Sequence, residues 1–357
     1  MQGVVVMNPI ITSYIPFKGY NIYVSNVRRL LSNSGYASYP VRKVLLNPRV
    51  FFKCKIFNFN WFEEVHSRSE YVKKAAFLIL LKMFNKKIVF TLHNKHPHEA
   101  TNQWSIKMTN KMCLKSDAII GLCPDTDKVL QDVYPDALKK LTIIPHPNYI
   151  ANYSIEDSSD YKKKYGINDG DLVFLYLGVV SPYKNIDLLL DVFVKVKNPH
   201  VWLIIAGNPS NPTYGENIKE RVNFLSNVIV DFRHIPEDEI PKYYRTSTVV
   251  ILPYQKDIYL NSGAVYLSFS LKRTVICPLI GSINMIKDKS FVYSYDYEDE
   301  SNHGTQLEKV INKVLDDYKY DISIPRIMGQ KAFEYIKIAH SDELVSELYK
   351  EVYDSLL

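Results

Sequence analysis

Along most of the 357-residue chain, short runs of consecutive apolar residues alternate with longer stretches whose apolar positions recur every three or four residues. The short runs fit strands buried on both faces and the longer ones fit helices packed on them, the pattern of parallel sheets with crossover helices. In the first half the strand candidates are VVVM near residue 5, KIFNFN at 55–60, KIVFTLH at 87–93, DAIIGLC at 117–123 and LTIIP at 141–145. The opening MQGVVVMNPIIT is expected to be a first buried strand, because it lacks the basic region and long apolar core of a signal peptide.

At 151–160 the sequence ANYSIEDSSD is polar and aperiodic, as a linker would be. The alternation then restarts with DLVFLYLGVV (171–180), VWLIIAG (201–207), VIVDFRHI (228–235), TVVILPY (248–254), TVICPLI (274–280) and FVYSYD (291–296). This predicts an α/β protein of two Rossmann-like, doubly wound parallel-sheet domains facing across a cleft. The first would cover 1–155 and the second 156–335. A C-terminal helix over 336–357, with Leu344, Leu348, Val352 and Leu356 in one stripe, is expected to pack back on the first domain.

Composition narrows the class. Hydrophobic residues make up 46% and charged residues 23%, and no apolar run reaches the ~18–20 residues of a membrane-spanning helix. The net charge of +6 suits a phosphorylated ligand or an anionic membrane surface better than nucleic acid, whose binders concentrate their charge. Cys54, Cys113, Cys123 and Cys277 are scattered without a C-x-x-C spacing, which excludes a zinc knuckle or disulfide framework and fits a cytoplasmic setting. YVKKAAFLILLKMFNKK at 71–87 fits either a helix packed on a sheet with lysines at its wet ends or an interfacial helix at a membrane.

Ligands of open parallel sheets gather beyond the carboxyl ends of the strands. In NSGAVYLSFSLKR (261–273), Asn261 or Ser262 can cap a helix while Gly263 leaves the backbone open, so that first-turn N–H groups face an anion; an ordinary capped helix fits the same residues. Lys184, six residues after Gly178 and at a helix start, opposes the helix dipole unless an anion lies nearby. VFTLHNKHPHEATNQW crowds His93, His96 and His98 around Pro97, but the proline prevents helical alignment and no H-E-x-x-H is present, so zinc is disfavoured. DTD at 125–127 opens a helix after Pro124, where acidic residues serve the dipole, and no metal is expected.

The segments YLGVVSPYKNIDLLLDVF, WLIIAGNP, VDFRHIPEDEIPKYYRTSTVVILPY and NSGAVYLSFSLKRTVI resemble, in order and spacing, the donor half of family 4 glycosyltransferases of the GT-B fold. The resemblance covers residues 171 to about 280 well and the first domain more loosely. It implies a UDP- or GDP-linked sugar in the second domain beside Gly178. Lys184 would neutralise the diphosphate, the backbone at Ser262, Gly263, Ala264 and Val265 would bind its oxygens, and the strand end at Arg233, His234 and Ile235 would receive the base. It further implies His93 as the catalytic contact to the transferred sugar or acceptor hydroxyl, His146 as a structural residue at the domain junction, and an acceptor side formed by Lys18, Gly19, Asn21 and Trp61; His98, with Glu99, is expected to bind acceptor on that side or to order the loop. Trp61 fits sugar stacking or a core position equally.

Two features depart from the family. The Glu-x7-Glu pair is absent near Tyr259 or Leu260 and near Leu267 or Ser268, with Asp257 and Asn261 as substitutes for the sugar contact, and Val179 replaces a common arginine. The likeness implies retention, with the leaving phosphate itself taking the acceptor proton, and no cofactor beyond the donor. The expected function is transfer to a glycan or lipid-linked oligosaccharide in surface polysaccharide biosynthesis, by a cytoplasmic protein peripheral on the inner face of the membrane. A non-catalytic glycosyltransferase-like subunit and a sugar-nucleotide epimerase are the alternatives.

Overall fold

The computed structural model describes residues 9–16, 21–95, 102–156 and 159–357. The chain divides into two units, Met1–Pro147 with His340–Leu357 and Asn148–Ala339. The change-over falls at Pro147, earlier than the expected 155, because the polar stretch is tied into the second unit. Arg245 donates to the Ile155 carbonyl (3.0 Å), the Tyr149 N–H donates to Ser270 Oγ (3.0 Å), and Lys272 pairs with Glu156.

The first unit holds strands β1 (Ile10–Ile15), β2 (Tyr36–Tyr39), β3 (Ile56–Asn60), β4 (Lys87–Leu92), β5 (Ala118–Gly121) and β6 (Leu141–Ile143), in the order β2-β1-β3-β4-β5-β6. All pairs are parallel. VVVM near residue 5 lies outside the described residues. The expected first strand, MQGVVVMNPIIT, overlaps β1 only at Ile10–Thr12, and β2 was not among the candidates; IITSYI and YASY carry buried or half-buried hydroxyls. In β1 these are satisfied across the pair, as by Ser13 Oγ on the Tyr39 carbonyl at 3.1 Å.

The period of two along a strand sorts side chains between two cores. Phe57, Phe59, Ile88 and Phe90 face the helices Arg68–Met83 and Gln103–Lys115. Ile56 and Val89 face the helices Ile22–Asn33 and Asp342–Asp354, so the C-terminal helix completes the first unit's core through Val345, Tyr349 and Tyr353. Arg68–Met83 buries Ala75, Leu78 and Leu81 and leaves Val72, Ile79, Leu80 and Met83 exposed. Among the described residues no helix is long and apolar enough to cross a membrane.

The second unit holds β7 (Leu172–Leu177), β8 (Val201–Ala206), β9 (Val228–Asp231), β10 (Val249–Ile251), β11 (Thr274–Pro278) and β12 (Tyr293–Tyr295) in the order β12-β11-β10-β7-β8-β9, again all parallel. Phe174, Leu203, Ile205, Ile251 and Ile276 pack against the helices Ile186–Phe193 and Glu300–Tyr320. Strand order reverses between β7 and β10, so the loops leaving these neighbouring strands diverge and open a crevice at their carboxyl ends. The corresponding reversal in the first unit lies between β1 and β3.

Candidate functional site

The loop after β7 is set by a close approach of backbones. Gly178 and Gly207 have φ of 153° and 134°, and a Cβ on Gly207 would lie 2.0 Å from the Gly178 carbonyl oxygen, so position 207 admits only glycine. The Tyr176 hydroxyl then holds the Val179 carbonyl (2.7 Å) and the chain turns through Ser181 to Lys184. Asn185 sits in the left-handed region (φ 57°), a conformation asparagine tolerates, and Gln255 holds its Oδ1 at 3.4 Å.

Lys184 is enclosed by aromatic rings from the loop after β10. Its Nζ lies 4.5 Å from the ring centroids of both Tyr254 and Tyr259 and 5.3 Å from that of Tyr183. Tyr254 and Tyr259 stack with centroids 4.3 Å apart. Among the described residues no carboxylate pairs with this ammonium. Burial pushes its pKa from 10.5 down to about 7, with the Cys277 thiol pulling weakly the other way. Ring faces offset part of the lost hydration, and an anion would restore the rest.

The helix Gly263–Ser270 starts on the other side of Tyr254. Ser262 occupies its N-cap position but caps nothing: its Oγ donates to the Tyr254 hydroxyl (3.3 Å) and its N–H donates to Ser282 Oγ (2.8 Å). The expected capping by Ser262 or Asn261 is therefore absent, since the Asn261 Oδ1 accepts from the Tyr266 hydroxyl (3.2 Å). Among the described residues, the N–H groups of Gly263 and Ala264 have no backbone partner, whereas that of Val265 bonds back to the Ser262 carbonyl (3.1 Å) and is already committed. Asn261 Nδ2 and Ser181 Oγ are likewise buried without a partner among the described residues. One cation and several unfilled donors thus meet where β7 and β10 diverge, an arrangement suited to an oxyanion.

Arg233 is used differently from the expectation. Its guanidinium is held by Asp231 (Nε to Oδ1, 2.9 Å) and by Glu239, and it donates to the Tyr243 hydroxyl (3.3 Å). Glu239 is pulled down to about 2 by Arg233 and by the Tyr161 hydroxyl. The side chain is consumed by the fold, and only the backbone of 233–235 remains for a ligand. His234 is exposed. So is Asp257, while Tyr259, one of the two positions expected for the missing first glutamate, forms a wall of the Lys184 cage.

In the first unit, Asn60, Thr91 and His93 share the sheet face opposite Phe59 and Phe90, and Asn60 pairs in register with Thr91. His93 is buried, with Nε2 2.9 Å from Asn60 Oδ1, its ring stacked on Trp61 at 4.1 Å and edge-on to Tyr23 at 5.2 Å. One face of Trp61 is therefore taken by the imidazole. The Asn21 side chain caps Ile22–Asn33 by accepting from the Tyr23 N–H (3.0 Å). Lys18, Gly19, His96 and His98 lie outside the described residues. Among the described residues no three metal-ligating side chains are grouped.

Sequence reasoning missed Asn60, Tyr254, Tyr259 and Ser181. Asn58 and Asn60 left a signal, two amides alternating with phenylalanine in a wholly buried strand. The tyrosines left none, because their role depends on two loops meeting across a strand reversal.

Residues 157–259 match the family described as glycosyl transferases group 1, and the two-sheet architecture is that of GT-B glycosyltransferases. The GDP-mannose:glycolipid 4-beta-D-mannosyltransferase of Xanthomonas campestris pv. campestris is 26% identical over 237 residues, which cover 63% of this chain and 60% of the relative, so the match spans less than two thirds of that protein. In fold the chain is similar to Anabaena Alr3699/HepE, crystallised with UDP and glucose (TM-score 0.70, 13% identity, 97% of this chain and 99% of that one). It is also similar to the catalytic domain of Arabidopsis thaliana starch synthase IV bound to ADP and acarbose (TM-score 0.66, 13% identity, 95% and 78% covered).

Proposed function

We propose that the protein is a glycosyltransferase that moves a sugar, with retention, from a nucleoside-diphosphate donor to a glycan or lipid-linked oligosaccharide during surface polysaccharide assembly. The observation that carries this reading is Lys184, an ammonium caged by three tyrosine rings and, among the described residues, without a carboxylate partner, beside the N–H groups of Gly263 and Ala264, which have no backbone partner among those residues. A diphosphate would supply the missing charge and acceptors, and the same fixed dipoles would stabilise it as it leaves. The Xanthomonas relative's name favours a GDP-linked donor and a glycolipid acceptor, and the Anabaena complex keeps UDP as the second candidate. His93 would contact the sugar or acceptor hydroxyl.

The exposed Val72, Ile79, Leu80 and Met83 on a lysine-bearing helix support a cytoplasmic protein resting on an anionic membrane, where a lipid-linked acceptor is presented. A thermal-shift series with GDP, UDP and ADP tests the donor site. A nucleotide at 100 times its Kd should stabilise by ~2.7 kcal/mol, and indifference to all three would remove the reading. Turnover of the matching nucleotide sugar only when acceptor is present separates transfer from epimerisation, and binding without any turnover would mark a non-catalytic subunit. The anomeric configuration of the product, read by NMR, decides retention.

A further inference from the structure

We infer that the second unit carries another anion site, a pocket for a small phosphate-bearing molecule, at the opposite end of its sheet from the Lys184 crevice. A cavity of 670 Å³ opens beside Thr248 and Arg273, the residues that immediately precede β10 and β11, and is lined further by Arg245, Lys272 and Arg326. Its volume lies within the range of about 300–1,000 Å³ usual for small-molecule pockets. The inference does not depend on the proposed transfer activity.

The cations of this pocket are unevenly matched. Lys272 pairs with Glu156, and Lys162 pairs with Asp169. The three arginines have no carboxylate partner among the described residues. Arg273 Nε donates to the Tyr244 and Ser247 carbonyls (both 2.8 Å) and Nη1 donates to the Lys272 carbonyl (3.0 Å), which closes the end of the helix Ile240–Thr246. Arg245 donates to the Ile155 and Glu156 carbonyls. Arg326 makes no hydrogen bond or ion pair among the described residues. Burial, then Arg326 and Arg245, push the Arg273 guanidinium down to about 10.

The backbone fixes these charges together instead of letting them spread. A Cβ at Gly329 would lie 2.2 Å from the Lys272 carbonyl oxygen, so the helix Ile324–Ala339 rests directly on the Lys272–Arg273 turn. That seating places Arg326 in the helix's first turn, where a cation opposes the dipole. Burial and the like charges of Arg326 and Arg245 are unfavourable for Arg273, and a phosphate bound beside it would relieve both. Guanidinium forks match phosphate oxygens in pairs, and the remaining volume accommodates the group the phosphate is attached to.

Inorganic pyrophosphate titrated into the full chain by calorimetry provides the test, in a Lys184→Met background that removes the cation of the first crevice. We expect binding to persist there and to weaken at least about tenfold in Lys184→Met/Arg326→Gln, the loss of one charge-assisted contact. Arg326 is exposed and bonds to nothing described, so the melting temperature without ligand should not fall, which separates loss of the site from loss of the fold. Arg326→Lys should give an intermediate affinity. No binding to Lys184→Met, equal binding after Arg326→Gln, or an equal thermal shift from potassium chloride at matched ionic strength would each overturn the site.

Discussion

His93 Nε2 lies 2.9 Å from Asn60 Oδ1, and the direction of that bond is fixed by what surrounds it. Asn60 Nδ2 donates to the Ile15 carbonyl and to Asn58 Oδ1 (both 3.2 Å), so its oxygen must face His93 and accept. Nε2 therefore carries the proton in a neutral imidazole. On the transfer reading, His93→Ala should lower kcat by about 100-fold or more while leaving nucleotide affinity intact, as measured by single-turnover transfer and calorimetry. Asn60→Asp should keep the fold but strengthen the pull on the imidazole proton, shifting the acid limb of the pH–rate profile upward. An unchanged profile would assign Asn60 to packing alone.

Lys184 makes opposite predictions for the empty and loaded protein. Its folded pKa of about 7 is below the ordinary 10.5, so between these values the unfolded chain binds more protons. The destabilisation it causes is full below pH 7 and is relieved as pH rises toward 10.5. Lys184→Met, which keeps the length without the charge, should raise the melting temperature of the empty protein at pH 6–7 by at least roughly 2–4 °C. It should also abolish stabilisation by the nucleotide. In the wild type, nucleotide affinity should fall as pH rises from 7 to 9, above the range where a terminal phosphate loses its last proton (about 6), and the slope should vanish in the variant.

The contrast between these two residues shows what a sequence carries. His93 was legible as a strand end, because strand and helix periods locate the ends of a parallel sheet residue by residue. Lys184 was legible only as a misplaced charge. Its cage was not, since Tyr254 and Tyr259 belong to a loop roughly seventy residues away and meet it only through the β7–β10 reversal. Arg233 misled for a related reason: a charge at a strand end resembles a ligand contact until Asp231 and Glu239 are seen to hold it. β2 was missed, and β1 was anticipated only over Ile10–Thr12, because their hydroxyls break the apolar pattern and are satisfied by pairing that no local window contains.

Glu63 carries a separate cost. It is buried, its Oε2 has no hydrogen-bond partner among the described residues, and burial raises its pKa to about 8. The folded chain thus binds more protons than the unfolded chain between pH 4.5 and 8, and stability falls as pH rises through that window. Glu63→Gln, neutral at every pH, should be nearly indifferent at pH 5 and stabilising by roughly 1–3 kcal/mol at pH 8.5, read from urea midpoints at the two pH values. Equal effects at both would mean that the carboxyl finds an unseen partner.

His340 and His146 act at the opposite end of the pH scale. His340 Nδ1 donates to the His146 carbonyl (2.8 Å), and His146 Nδ1 donates to the Pro147 carbonyl (2.7 Å), so both rings are buried as neutral tautomers where the chain leaves and re-enters the first unit. Burial lowers their pKa values to about 4 and about 3 respectively, against an ordinary 6.5. As pH falls below 6.5 the unfolded chain takes up these protons first, so their contribution to stability is present above 6.5 and is lost on acidification, by up to about 1.4 kcal/mol per pH unit for each ring. Ordinary carboxylates titrate mainly below the window from pH 6.5 to 5, but Glu63 contributes there with the opposite sign, so the histidine part is read from the difference between wild type and variant. In that window His340→Gln, whose amide can still donate to the His146 carbonyl, should lower the pH slope of stability by up to about 1.4 kcal/mol per pH unit while costing little at pH 7.5. If the slope is unchanged, the tie between the two crossings is not what makes the first unit acid-sensitive.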